Sequence, residues 1–294
     1  DTQTGAVIFR LNLSPTHAPR KDLSIRTANN TTGFLCTFGG ATDWFDENGM
    51  RPGAIPDAEG NGAFNFTNDV YDFYYNNFHR HSWNNNEGEL SIILDDGGIP
   101  PNAFFDGMCK HFVFSNNYAM LDIVAHEVTH GVTDASSGLI YSNQPGALNE
   151  SYSDVFGAII DTANWTIGEG APGGPYRNMS NPPAFGDPDA MSNFVNTTAD
   201  NGGVHTNSGI PNKVAFLLMA GGTHNGITVS GIGRQKTARL YYDVLTTWLH
   251  SSAQFTDAQF GTVFMAQWYT NTNRYGFTAA DACVVVNAFA SVGL

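Results

Sequence analysis

The stretch LDIVAHEVTHGVTD, residues 121–134, sets His126, Glu127 and His130 inside an otherwise apolar run. Imidazoles and carboxylates are costly to bury unless something holds them. Apolar residues fall at 120, 121, 124, 125, 128 and 132, close to a helical stripe over 119–136, and Gly138 supplies a stop. On such a helix His126 and His130 lie one turn apart on one face. Two neutral imidazoles at this spacing can hold one Zn²⁺ at ~2.0–2.1 Å. Glu127, turned by about 100°, would not ligate, but it could take a proton from water at the metal's open position. H-E-x-x-H is the recognised form of this arrangement. The bland alternative is a helix with two satisfied histidines and a surface glutamate.

A hydrolytic zinc wants a third protein ligand. The next helical pattern, from about Gly146, contains GALNESYSD at 146–154, where Glu150 and Asp154 are four apart and share a face. One could ligate, and the other could orient a ligating histidine through its free ring nitrogen. Leu148, Val155, Phe156, Ile159 and Ile160 make the helix apolar around them, which argues against a wet acidic face.

Outward from this pair, the chain divides by pattern. GFLCTFGG, LSIILDD and KHFVFS read as short strands among Gly, Asn, Pro and Asp clusters. One helix, NDVYDFYYNNFHR, is expected among them, capped by Asn68 or Thr67. Prolines at 172, 175, 182, 183 and 188 mark a long loop region over roughly 163–203. NKVAFLLMAGG, GRQKTARLYYDVLTTWLHSS, DAQFGTVFMAQWYT and AADACVVVNAFASV then read as helices. The expectation is an α+β protein in two parts, a mainly-β 1–138 ending in the HEVTH helix and a mainly-α 139–294. No internal repeat is evident.

The 294 residues are 41% hydrophobic and only 14% charged, enough for a real core. The net charge of −14 comes from 27 acids against 13 bases, so the basic face of a nucleic-acid binder is not expected. Cys36, Cys109 and Cys283 show no CxxC spacing, and an odd count cannot pair fully within one chain. No run approaches the ~18 apolar residues of a membrane span. The opening DTQTGAVIFRLNL lacks a basic stretch followed by an apolar core, as in a mature chain that has lost its leader. Asn30, Asn65, Asn178 and Asn196 head N-x-S/T sequons, as chance allows in a chain this rich in Asn and Thr.

HEVTH, GLIYSNQPGALNESYSDVFG and DNGGVHTNSGI, in that order, resemble the thermolysin-like family of zinc endopeptidases. The likeness is close from about Asn102 onward and vague before it. It implies the family's two-domain fold, a single catalytic zinc on His126, His130 and Glu150, and Glu127 as general base. It further implies that Asp154 orients His126 and that Asn149 supports His130 through its backbone. Tyr141 and His205 would meet the tetrahedral oxyanion, with Asp200 holding His205. Asn102 and Ala103 in PNAFFDG match the edge strand that pairs with substrate backbone. Arg177 in PYRNMS matches a substrate-carbonyl contact. Phe114, Ile123, Ile167 and Tyr176 would line an apolar primed-side pocket, favouring cleavage before bulky hydrophobic residues.

The resemblance also implies structural Ca²⁺, with Asp122, Asp161 and Glu169 as ligands. The stretch between Asp161 and Glu169 is shortened, and Asn164 and Thr166 stand where more acids are expected. One calcium retained and a second weakened or lost is therefore expected. Secretion, a pro-segment in the precursor, a monomeric state and peptide or protein substrates follow from the family as well.

The rivals are weaker. There is no G-x-S-x-G elbow for a serine hydrolase. A zinc aminopeptidase shares HExxH and a downstream Glu but not NESYSD with DNGGVH. A non-catalytic binding relative would be expected to have lost Glu127 or a ligand. A calcium-dependent adhesion module would explain the acids but not HEVTH.

Overall fold

The computed structural model describes residues 21–29, 41–95, 97 and 101–294. In chain order it forms β1 (Leu23–Thr27), β2 (Thr42–Asp46), β3 (Gly49–Met50), α1 (Ala58–Phe78), β4 (Leu90–Leu94), β5 (Ala103–Asp106) and β6 (His111–Phe114). Then come α2 (Leu121–Asp134), α3 (Asn143–Ile160), β7 (Thr166–Ile167), β8 (Arg177–Asn178), α4 (Asp200–Asn207) and α5 (Gly209–Ala220). The hairpin β9 (Gly222–His224) and β10 (Ile227–Val229) precedes α6 (Arg234–Asp243), α7 (Phe255–Asn271) and α8 (Ala279–Ser291).

The first six strands make one sheet in the order β3-β2-β1-β4-β6-β5. β1, β4 and β6 run parallel, while β2 and β5 pair antiparallel to their neighbours. Every residue of β4 is buried, as its continuous LSIIL run requires of a central strand. β5 is the outer strand, so among the described residues one edge of its backbone has no sheet partner.

α2 is the middle of the molecule. Val124, Ala125, Val128 and Val132 are buried, and so are His126 and Glu127. It packs against α3 on one side and meets β5 on the other. The helical stripe in the sequence is thus real, and the polar residues within it are enclosed too. α3 is buried over almost its whole length, which explains the apolar setting of Glu150 and Asp154.

Two expectations change. α1 begins ten residues before the expected cap, at Ala58, with Asp57 as N-cap accepting from the Gly60 N–H at 2.8 Å. Gly60 is needed where the Trp44 ring crosses the helix. A Cβ there would lie 2.4 Å from Trp44 Cε3. The hairpin β9–β10 and the short α4 stand where no element was expected. LSIILDD and KHFVFS are strands as read. GFLCTFGG, Asn30, Cys36 and the opening residues lie outside the described residues. Cys109 is disulfide-bonded, and Cys283 is free and exposed.

Candidate metal centre and cleft

α2 presents His126 and His130 to α3, which returns Glu150 between them. The two Nε2 atoms lie 2.9 Å apart. Glu150 Oε2 is 3.4 Å from His126 Nε2, and Oε1 is 3.3 Å from His130 Nε2. A tetrahedral ion with bonds of about 2.05 Å would separate its ligand atoms by roughly 3.3 Å. Among the described residues these three form the one group of three or more His, Cys, Asp or Glu able to hold a metal ion.

The outer ring nitrogens fix the tautomers. His130 Nδ1 meets the side-chain Oδ1 of Asn149 at 2.7 Å and Ser153 Oγ at 3.1 Å. Asn149 Nδ2 donates to the Leu139 carbonyl, which leaves its Oδ1 as acceptor. His126 Nδ1 lies 2.9 Å from Asp154 Oδ1, close but bent away from ideal hydrogen-bond alignment. With protons on both Nδ1 atoms, both Nε2 lone pairs and a carboxylate converge on one point, and Glu150 Oε2 has no hydrogen-bond partner. Such a donor set needs a cation or a proton, and it fits zinc. Burial alone would lower the His126 pKa, but Asp154 and Glu150 outweigh it and push it up to about 10. Burial would likewise raise Glu150, yet His130 and His126 hold it well below the usual carboxylate range.

Asn149 thus supports His130 by its side chain rather than its backbone. It and Ser153 are four apart on α3, a spacing that could have suggested a second helix-borne pair. Asp154, fully buried, is also gripped by Arg177, with Nε at 2.7 Å from Oδ2 and Nη2 at 2.6 Å from Oδ1. Asn212 of α5 adds a donor to Oδ2 at 2.8 Å, a contact without any signal in the sequence.

Glu127 is 5% exposed, and its Oε2 has no hydrogen-bond partner. Burial raises its pKa, with the two histidines opposing. It lines a cleft of about 760 Å³ together with the three candidate ligands, Asn102, Ala103, Tyr141, Arg177 and His205. Tyr141 donates its hydroxyl to Glu150 Oε1 and stands 3.2 Å from His205 Nε2. Asp200 turns both oxygens on His205, Oδ1 at 2.7 Å from Nδ1 and Oδ2 at 2.9 Å from the backbone N. The DNGG run makes this possible. Asp200, Asn201, Gly202 and Gly203 all have left-handed φ, between 50° and 91°, where Gly and Asn are tolerated best.

Ile123, Ile167 and Tyr176 line the cleft, and Tyr118 joins them. Phe114 does not line it, because β6 turns that ring into the core, where it is fully buried. The Tyr118 and Tyr176 rings stack 6.2 Å apart with their hydroxyls at 2.8 Å.

Asp122, Asp161 and Glu169 do not form a comparable metal-holding group among the described residues. Asp122 accepts from the backbone of Gly168 and Ile123 at 2.5 and 2.9 Å. Asp161 accepts from Ala163 N at 3.0 Å. Glu169 is engaged by Asn164 and Thr166, the residues that stand in place of acids.

Family profiles agree with this geometry. "Thermolysin metallopeptidase, catalytic domain" matches residues 17–134, and "Thermolysin metallopeptidase, alpha-helical domain" matches residues 137–294. The chain belongs to the thermolysin family of metallopeptidases. Among its relatives is Bacillolysin of Brevibacillus brevis, 37% identical over 93% of this chain and 51% of that protein. Bacillolysin of Bacillus cereus is 38% identical over 86% of this chain and 46% of its own length. The chain thus spans about half the length of these curated relatives. The solved precursor of Protealysin, a metalloproteinase from Serratia proteamaculans, superposes with TM-score 0.75 at 29% identity, covering 97% of this chain and 90% of the other. The α+β, thermolysin-like architecture expected from the sequence is the one observed.

Proposed function

We propose that this protein is a secreted zinc endopeptidase that cleaves peptide bonds before bulky hydrophobic residues. The observation that carries the reading is the convergence of His126, His130 and Glu150 beside the unpartnered Glu127 carboxylate on the floor of an open cleft. Held by those three residues, zinc would supply Lewis-acid charge for polarising a carbonyl and acidifying water.

The chain's own residues then divide the work. An extended substrate adds to the open edge at Asn102 and Ala103. Arg177 reaches its carbonyl on the primed side, and Ile123, Ile167 and Tyr176 receive the side chain that follows the scissile bond. Glu127, with its pKa raised by burial, accepts the proton of the attacking water and passes it to the leaving amine. Tyr141 and His205 donate to the oxyanion as it develops. Asp200 accepts from His205 Nδ1–H, so that Nε2 also carries an N–H when the ring is doubly protonated, whereas Asp154 at His126 Nδ1 keeps that ring's Nε2 lone pair free for the metal.

The Cys109 disulfide suits an oxidising compartment, and none of the described helices is long and apolar enough to cross a membrane. A monomer made as a precursor with a pro-segment, divided at residues 138 and 139, follows the family. At least one calcium near Asp122, Asp161 and Glu169 belongs to the same proposal.

The test is zinc per chain by elemental analysis, paired with cleavage of an end-blocked peptide centred on Gly-Leu. Wild type and Glu127→Ala should both carry about one zinc, and kcat should fall by about 10²–10⁴ in the variant. A blocked peptide left intact by zinc-loaded wild type would refute endopeptidase action and favour an aminopeptidase.

A further inference from the structure

Asn212 sits at the fourth position of α5, 2% exposed, with its backbone N–H bonded to Ser208 O at 2.9 Å. Its side chain donates to Asp154 and not to a candidate zinc ligand. Its amide nitrogen reaches Asp154 Oδ2 at 2.8 Å, while its own Oδ1 is buried with no hydrogen-bond partner. A polar side chain kept for packing alone would gain nothing from an orphaned oxygen, whose burial costs free energy. The satisfied half of the amide faces the carboxylate behind His126.

The contacts around Asp154 are divided between its oxygens. Oδ2 takes Arg177 Nε at 2.7 Å and Asn212 Nδ2 at 2.8 Å. Oδ1 takes Arg177 Nη2 at 2.6 Å and faces His126 Nδ1 at 2.9 Å. Arg177 alone grips both oxygens, so it fixes the carboxylate plane relative to its own guanidinium. That guanidinium rides on the two-residue strand β8 and lines the substrate cleft. A substrate carbonyl pulling on Arg177 would therefore also pull on Asp154. Asn212 anchors Oδ2 from the far side, on a helix that packs against α3.

Building on the zinc reading above, we infer that Asn212 is a positioning residue, the third member of a relay Asn212–Asp154–His126 across α5, α3 and α2. It holds Asp154 in place for His126 while Arg177 is engaged by substrate. The amide is suited to the task because it donates without adding charge. Leu could not donate, and an ionised Asp would repel.

The experiment uses the full chain and zinc itself. Zinc affinity is measured by competition with a chromogenic chelator for wild type, Asn212→Leu, Asp154→Asn and the double variant. Metal-free thermal midpoints and, where peptide is cut, kcat and KM are measured on the same samples. Asn212→Leu should lose about tenfold in zinc affinity and lower kcat with KM little changed. Its metal-free midpoint should stay within a few degrees of wild type. In the Asp154→Asn background, the Leu should cost no further affinity. If Leu is not accommodated, Asn212→Ser, smaller and too short to reach Asp154, should give the same losses.

Unchanged zinc affinity in a folded Asn212 variant would overturn the relay. So would an equal loss in the Asp154→Asn background, or a loss matched by a fall in the metal-free midpoint. Wild type that binds no zinc would remove the zinc reading and the relay together. Wild type that binds zinc but cuts no peptide would remove only the peptidase reading, and the affinities would still decide Asn212.

Discussion

Asp122 and Asp154 are buried carboxylates on neighbouring helices, 3% and 0% exposed, yet the protein drives them in opposite directions. Burial would raise Asp154, but Arg177 and His126 outweigh it and hold the acid well below the usual carboxylate range. Asp122 is pushed up to about 6 by burial, which the Gly168 and Ile123 N–H groups offset only in part, with Glu169 and Asp161 adding repulsion. The one acid has cations built around it. The other has backbone dipoles and more acids. A buried carboxylate with a fixed guanidinium is a finished piece of architecture, whereas one facing other acids still calls for a proton or a cation.

The largest effect should come from unmaking the finished side. Arg177→Leu leaves Asp154 charged and buried without its guanidinium, and should lower stability by about 3–5 kcal/mol in urea unfolding. A cost below about 1 kcal/mol would mean that His126 and Asn212 suffice, and the contrast would lose its basis.

The unfinished side gives the next effect, in chelator-treated protein. The folded pKa of Asp122 lies above its unfolded value of about 3.9, so the folded state binds the extra proton between them. This group's contribution is fully present below about pH 4 and is lost as pH rises to about 6. The swing is about 3 kcal/mol. Asp122→Asn should flatten that slope in a series of unfolding curves from pH 4 to 7. Added calcium should restore wild-type stability at pH 7, and no response to calcium would remove calcium from the proposal.

The smallest effect tests a paired acid away from the cleft. Asp281 caps α8 with Thr278 and meets Lys236 Nζ at 2.8 Å. Burial would raise it, but Lys236 and Thr278 together prevail and lower its pKa. Its contribution is therefore present above about pH 3.9 and fades as pH falls through the lowered folded value. Asp281→Asn should cost about 1 kcal/mol at pH 7, and the gap from wild type should narrow in unfolding curves taken at progressively more acidic pH.

The same contrast separates what could be read in the sequence from what could not. His126, His130, Glu150 and Asp154 lie on two helices, where a four-residue spacing fixes a shared face whatever surrounds it. Asp122, Asp161 and Glu169 depend on a loop whose path no periodicity encodes. The strand-rich front and helical back were legible from hydrophobic patterning, but the start of α1 was hidden. Gly60 serves the Trp44 ring, a contact between residues far apart in the chain. The family resemblance places Phe114 in the pocket, but strand alternation alone cannot say which face of a sheet looks at a cleft, and β6 turns that ring into the core. His205 and Asp200 were reachable only through the family motif, because four consecutive left-handed residues leave no periodic trace. Asn212 had no signal at all, since an Asn in the first turns of a helix commonly means nothing.

The candidate ligands all lie within the helical hairpin of α2 and α3, while Arg177, His205 and Asn212 arrive from later in the chain. Closing a short loop costs little entropy, and docking distant segments costs more. The three candidate ligands are therefore the part of the site that a growing or refolding chain can assemble early. The groups that would aim and tune it come together only when the C-terminal helices dock. Order of assembly is thus written into the position of the ligands, and capture of an ion would precede competence to use it.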